Sequence, residues 1–479
     1  MTNPLANLEP QELWARFDDI RKIPRPSKHE EKIRQFVLDF AEKHGCATKT
    51  DKLGNVVVLV PATPGYENAP TAVLQGHLDM VCEKNADKDF DFFKDPIELV
   101  LEGDFLSANG TTLGADNGVG IAAGLAMITD TSIKHGPLEL LYTLDEETGL
   151  TGARELDAGM LTGKYLLNLD SEEDGVIIMG CAGGRDTEIK LKGTRAAAPG
   201  TALLVKASGM SGGHSGIDIH LGRANALKVV LDVVKEAGDV RIAAVNGGSA
   251  HNAIPREAEA VVYGDPAAVK KAAAGCEARC KTGFATTDPE LKIEVAEAAD
   301  AATPLDEKST AALVKLLDGI PHGVLGMSKD FEGVVETSSN LAVVKTEGDT
   351  IDILTSTRSS VMSALNTAVD GIVAGARECG AEAEADEGYP GWEPNPESNL
   401  MKVAVEVYEN LFGEKPEVKS IHAGLECGII GEQVPGMDMI SIGPTLRNPH
   451  SPSEDVSVSS VKKMLGDYLN GILLKIAEE

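Results

Sequence analysis

Five short segments of the chain hold residue types that can do chemistry. In GHLDM, His77 and Asp79 lie two apart on an apolar run that reads as a strand, so both side chains point to the same side. An imidazole that ligates a metal gives its other ring proton to a carboxylate or carbonyl, and Asp79 is spaced to orient His77 in that way. NGTTLGADNGVGIA sets Asp116 in a Gly-rich turn just before a helix. LDEETG sets Asp145, Glu146 and Glu147 at a strand end, and LLNLDSEEDG sets Asp170 at another. RNPHSPSEDV sets His450 in a Pro-flanked loop between the strand MISIG and the final helix.

Carboxylates at strand ends of one α/β sheet converge on one edge, where open sheets of this kind place their sites. Without a cation such a cluster repels itself. His77, Asp116, Glu147, Asp170 and His450 offer two imidazoles and three carboxylates, one of them bridging, which suits two zinc ions and accepts manganese or cobalt. Two metals about 3.5–4 Å apart turn a shared water into a nucleophile at neutral pH and polarise a carbonyl, so the reaction class is hydrolysis. A general base must lie beside that water without being a ligand. One Glu of the EE pair can bind metal while the other takes the proton, and the spacing alone does not say which.

These segments need a scaffold. LGNVVVLVPA, TAVLQGHLDMV, LELLYTLDEE and YLLNLDSE are apolar runs of buried-strand length that alternate with helical stretches such as GVGIAAGLAMITD, which predicts an α/β sheet covered on both faces. The chemistry-bearing segments stop near residue 182 and resume near residue 391. The 200 or so residues between read as an inserted domain, long enough for two α/β lobes. The Pro- and Asn-rich GYPGWEPNPESN marks the crossing back, and an amphipathic helix near VKKMLGDYLNGILLKIAEE closes the chain.

The chain has 479 residues, 75 acidic against 44 basic, and a formal charge of −31. That charge repels nucleic acid and anionic lipid. No stretch approaches the roughly 18 apolar residues that span a bilayer, and the N-terminus has no basic segment leading into an apolar run. Seven scattered cysteines without a CxxC pair fit a reducing compartment. The expectation is a cytoplasmic protein whose partners are neither nucleic acid nor membrane.

GHLD, the Gly-Ala-Asp-Asn turn, the EE pair, the LD strand and the late NPHSP loop, in this order, resemble the co-catalytic zinc metallopeptidases that include aminoacylases, glutamate carboxypeptidases and bacterial dipeptidases. ANGTTLGADNG, EETG, LDSEEDG, MGCAGG, GGHSG, GRANA, HAGLECG and NPHSPSE are similar to the bacterial branch that cuts aminoacyl-histidine dipeptides, and with GHLD and the whole of RNPHSPSEDV the matching segments run from residue 76 to residue 456. The resemblance implies a di-zinc catalytic domain (1–184 and 391–479), a mixed sheet flanked by helices, plus an inserted α+β lid domain (185–390). It implies Asp116 as the bridging ligand, His77 and Asp170 on one zinc, Glu147 and His450 on the other. Glu146 is then the base, Asp79 the partner of His77, and the Asp116–Asn117 bond cis. One departure is that many relatives have Pro after the GHxDxV run where this chain has Cys82, a small apolar side chain expected to pack behind His77.

The implied substrates are free dipeptides, preferentially Xaa-His including β-Ala-His. The alternative with the same metals is hydrolysis of N-acyl amino acids or a carboxypeptidase activity. In the lid, GMSGGHSGIDIHLGRANA resembles the segment that supplies an oxyanion-stabilising histidine, His214, with His220 as the competitor. Asn252 and Arg358 resemble residues that grip the substrate backbone or its carboxylate. His422 and Glu426, in HAGLECG, resemble residues that face the active site, with Glu426 able to meet a free amine or to cap a helix. A homodimer is left open.

Overall fold

The computed structural model describes residues 3–298, 301–329, 331 and 333–478. Two compact units emerge. The first comprises Met1–Gly180, Pro394–Ser420 and Leu425–Glu479, and the second Cys181–Glu393 and Ile421–Gly424.

The first unit is built on an eight-stranded mixed sheet in the order Ala47–Thr50, Val56–Val60, Leu138–Thr143, Ala72–His77, Tyr165–Asn168, Asp438–Ser441, Val176–Cys181, Glu417–Ile421. Ala72–His77 runs parallel to Leu138–Thr143 and to Tyr165–Asn168, which in turn pairs in parallel with Asp438–Ser441. These central strands are buried along their whole length, which explains why their sequences are continuous apolar runs and not alternations. The helix Ala115–Thr129 is apolar all round because it is enclosed, with 12 of its residues buried. Helices Gln11–Ile20, Asn399–Phe412 and Leu469–Glu478 contribute one-sided apolar stripes to the same core. The C-terminal helix contains a wide π turn over Lys462–Tyr468.

A small sheet in the same unit, ordered Leu446–Arg447, Asp455–Ser457, Phe105–Ala108, Leu99–Glu102, pins both ends of the loop that holds His450. The Arg447 guanidinium clasps Asp455 in a two-pronged ion pair across its base, at 2.7 and 2.6 Å.

The second unit is an antiparallel nine-stranded sheet with helices Ala226–Ala237, Pro266–Gly283, Glu307–Gly319 and Met362–Glu378 packed on it. Four strands lie to either side of the single pairing of Gly247 with Val344, and Gly323–Met327 adds to the edge of Val335–Glu347. The α/β class is what the sequence patterning predicts, and the mixed sheet flanked by helices and the second α+β unit are what the family resemblance implies. Among the described residues no helix is long and apolar enough to cross a membrane.

Candidate active site

Three parallel strands of the first unit end at one edge of the sheet, and each delivers a chemical group there. His77 is the last residue of its strand; Glu146 and Glu147 open the short helix Glu146–Gly149 beyond Leu138–Thr143; Asp170 follows Tyr165–Asn168. Asp116 sits at the start of Ala115–Thr129 in non-helical conformation, with Gly114 at φ 69° before it and a cis peptide bond to Asn117. Gly76 has to lack a side chain, since a Cβ there would meet the Asn117 Oδ1 at 2.2 Å. Asn117 uses that close seat to donate from its Nδ2 to Asp170 Oδ1 and to the Leu169 carbonyl, each at 2.7 Å.

Asp116 lies between two imidazoles. Its Oδ1 is 3.0 Å from His77 Nε2, and its Oδ2 is 3.0 Å from His450 Nε2. His77 Nε2 is also 3.3 Å from Asp170 Oδ1, and His450 Nε2 is 3.0 Å from Glu147 Oε2. The donor atoms thus form two groups that share Asp116: His77, Asp116 and Asp170 in one, Asp116, Glu147 and His450 in the other, with the atoms of each within 4.8 Å of one another. Glu147 Oε1 is buried without a hydrogen-bond partner.

The electrostatics of the cluster are those of excess negative charge. Hydrogen bonding to Asp116 and Glu147 holds His450 up to about 11. Burial opposes the His77 cation, yet Asp170 and Asp116 outweigh it and raise its pKa well above the usual value. Burial pushes the Asp170 carboxyl up to about 6 against the pull of His77. Burial likewise lifts Glu146 well above the carboxylate range, with Asp170, Glu426 and Glu147 adding to it. A mixed N/O donor set with a shared carboxylate, an orphaned carboxylate oxygen and surplus negative charge fits a pair of divalent cations.

Asp79 stands behind His77, its Oδ1 at 3.3 Å from His77 Nδ1. The same carboxylate accepts the backbone N–H groups of Glu146 and Glu147 and the hydroxyl of Ser27. Two further residues build the site without standing out in the sequence. Glu454 is 2 % exposed and its two oxygens accept the N–H groups of Leu113, Gly114, Ala115 and Asp116, fixing the turn that carries Asp116. Arg25 is buried and donates to the carbonyls of Leu78, Asp79 and Gly114. Glu454 follows His450 in the same motif, a signal that was available; Arg25 had none. Cys82 is partly buried, and its thiol faces the Met80 carbonyl at 3.7 Å.

Glu426 begins the helix Glu426–Gln433 and is 0 % exposed. Its Oε2 accepts from Gln75 Nε2 at 2.6 Å and Thr143 Oγ1 at 2.8 Å, and its Oε1 has no partner. Burial pushes its carboxyl up to about 7 against the attraction of His77.

The second unit gathers His214, Arg358 and His422. His214 Nδ1 accepts from the N–H groups of Gly216 and Ile217, so the ring proton sits on Nε2, and burial together with Arg358 lowers its pKa to about 4. His220 is exposed on the short turn Ile219–Leu221, its Nδ1 against the Ile217 carbonyl. Arg358 is 7 % exposed, donates to the Tyr389 hydroxyl, and leaves its Nε unsatisfied. His422 pairs with Ser338 at 2.7 Å, has an unpartnered Nδ1, and is driven down to about 3 by burial and Arg358. Asn252 is exposed, and its carbonyl accepts from the Ser215 N–H.

Residues 73–469 match peptidase family M20/M25/M40. The chain is 41% identical over 465 residues to the cytosol non-specific dipeptidase of Escherichia coli (strain K12), covering 95% of this chain and 96% of that one. The crystal structure of aminoacylhistidine dipeptidase from Vibrio alginolyticus aligns with a TM-score of 0.93 at 40% identity, over 99% of this chain and 98% of that one. Aminopeptidase PepT from Bacillus cereus shares the fold at 16% identity and a TM-score of 0.63, over 98% of this chain and 99% of that one.

Proposed function

The chain belongs to peptidase family M20/M25/M40, and from that premise we propose that it is a cytoplasmic dipeptidase that hydrolyses free dipeptides, preferring Xaa-His. The observation that carries the reading is the double role of Asp116, one oxygen toward His77 and Asp170 and the other toward His450 and Glu147. His77, Asp116 and Asp170 would hold one cation, zinc in the first instance, and Asp116, Glu147 and His450 the other. When bound, the pair lowers the pKa of a water and polarises the scissile carbonyl.

Glu146 is not needed as a ligand and is free to act as the base. It takes a proton from the attacking water and passes it to the departing amine nitrogen, so the dipeptide is divided into an acid and an amine with no net gain or loss of protons. Burial among carboxyls supports this role, because a carboxylate whose pKa is raised is a stronger base and takes the proton of water more readily. Asp79 fixes the ring of His77 and the main chain under Glu146.

The inserted span 185–390, which makes up most of the second compact unit, serves as the lid. His214, with its proton on Nε2, donates to the oxyanion that forms on attack. Arg358, buried without a carboxylate partner among the described residues, receives the substrate's terminal carboxylate, with Asn252 and His422 beside it in the recognition of the backbone and C-terminal residue. Glu426 receives the free α-amine. The test is a panel of β-Ala-His, Ala-His, Gly-Leu, N-acetyl-His and Ala-Ala-His with zinc-loaded protein. Cleavage of the free dipeptides, Xaa-His foremost, with the acetylated and tripeptide substrates spared, is the expected result; preference for N-acetyl-His or the tripeptide refutes the dipeptidase assignment.

A further inference from the structure

Beneath the His77 level of the sheet lies a row of buried polar side chains with no place in an ordinary core. Gln75 stands beside Asn168, and Asn168 beside Ser441, in register across three adjacent parallel strands. All three are 0 % exposed, as are Thr143 and Glu426. Two residues further down the same strands and on the same face, the corresponding row is apolar: Val73, Leu166 and Met439. On these three strands polarity is therefore confined to the one row under the site, where each buried polar group costs stability unless it is bonded.

The row is bonded, and in one direction. Ser441 Oγ donates to Asn168 Oδ1 at 2.5 Å, Asn168 Nδ2 to Gln75 Oε1 at 2.5 Å, and Gln75 Nε2 to Glu426 Oε2 at 2.6 Å. When Glu426 is ionised its carboxylate can only accept, so it dictates that Gln75 present its amide N–H₂; each amide further along must then turn the same way. Donors aligned head to tail polarise one another and strengthen the last bond of the chain. Thr143 adds a second donor to the same oxygen, and Oε1 is left buried and unpartnered. A carboxylate gripped through one oxygen, with the other bare, is prepared for a cationic donor that none of the described residues supplies.

We propose that Gln75, Asn168 and Ser441 are positioning residues, a transverse hydrogen-bonded rung that orients Glu426 so that its free Oε1 receives the ammonium group of the substrate. The inference rests on the amine-binding role of Glu426 and goes further, by making selectivity for a free N-terminus depend on residues that never touch the substrate. Ser441, at the far end, is separated from Glu426 by two intervening amides.

The experiment measures kcat and KM for Ala-His with the metal-loaded wild-type enzyme and with Ser441→Ala, Gln75→Met, Glu426→Gln and Ser441→Ala/Glu426→Gln. One neutral hydrogen bond lost from the chain raises KM roughly 3- to 10-fold in Ser441→Ala while kcat stays within about twofold. In the Glu426→Gln background the Ser441 change adds nothing further, because it acts through Glu426. Equal effects of Ser441→Ala in both backgrounds, or a fall in kcat at unchanged KM, overturn the rung. An unchanged KM in Glu426→Gln instead overturns the amine-binding role on which it rests. Should Gln75→Met fail to fold, Ser441→Ala, which removes a single hydroxyl, still decides the question.

Discussion

The carboxylate of Asp79 accepts the backbone N–H of Glu146 at 3.0 Å while its same oxygen lies 3.3 Å from His77 Nδ1. One buried side chain therefore fixes the main chain of the candidate base and sets its negative charge against the ring of a metal-ligand candidate. Its second oxygen takes the N–H of Glu147 at 3.2 Å.

Asp79→Asn tests that linkage. An asparagine side chain has one acceptor oxygen where the carboxylate has two, so one of the N–H groups of Glu146 and Glu147 loses its partner and the negative charge behind His77 is gone. The expected outcome is a fall of about 10- to 100-fold in kcat or in metal affinity, read from steady-state kinetics at saturating zinc and from metal titration. Wild-type values for both would show that Asp79 is dispensable to the site.

Arg358→Met separates binding from stability. A guanidinium buried without a counter-ion costs the fold desolvation energy, so an apolar side chain of similar volume leaves the melting temperature unchanged or higher. The substrate carboxylate loses its partner, and KM for dipeptides rises by about 10- to 100-fold. Thermal melts and kinetics on one preparation check both halves; a lower melting temperature with unchanged KM would assign Arg358 to structure alone.

Lowering the pH works against His422. Its pKa is about 3 in the fold and near 6.5 when unfolded, so between these values the unfolded chain binds the extra proton. The neutral ring is compatible with the fold at and above pH 6.5, and stability is lost as pH falls from there toward 3. Replacing His422 with Gln removes this contribution, so denaturant unfolding at pH 7.5, 6.0 and 5.0 gives a shallower decline in the variant, by up to about 1.4 kcal/mol per pH unit. Parallel declines in the two proteins would mean that His422 is not the group responsible.

The strands of the first unit are legible in the sequence because full burial on both faces demands unbroken apolar runs, and GHLDM, LDEETG and LDSEED are recognisable where those runs stop. Parallel pairing then brings His77, Glu146 and Asp170 to one edge. Less of the supporting structure is legible. Glu454 and Arg25 act on the main chain of segments far away in sequence, and such bonds leave no spacing to read. The Gln75 row depends on the register of three strands, one of them more than 260 positions from the others, so its members look like isolated polar residues in the sequence. Likewise the end of the second unit at Ile421–Gly424, within a single short motif that also contains Glu426, is a matter of packing and not of composition.

Counting metal ions per chain tests the account most directly. After zinc loading and gel filtration, elemental analysis of the wild-type protein should give about two ions per chain, His450→Ala about one, and Asp116→Ala fewer than one, since Asp116 is shared by both donor groups. A wild-type chain that holds a single ion, or an Asp116→Ala chain that still holds two, would contradict the bridged two-metal site on which the proposed chemistry depends.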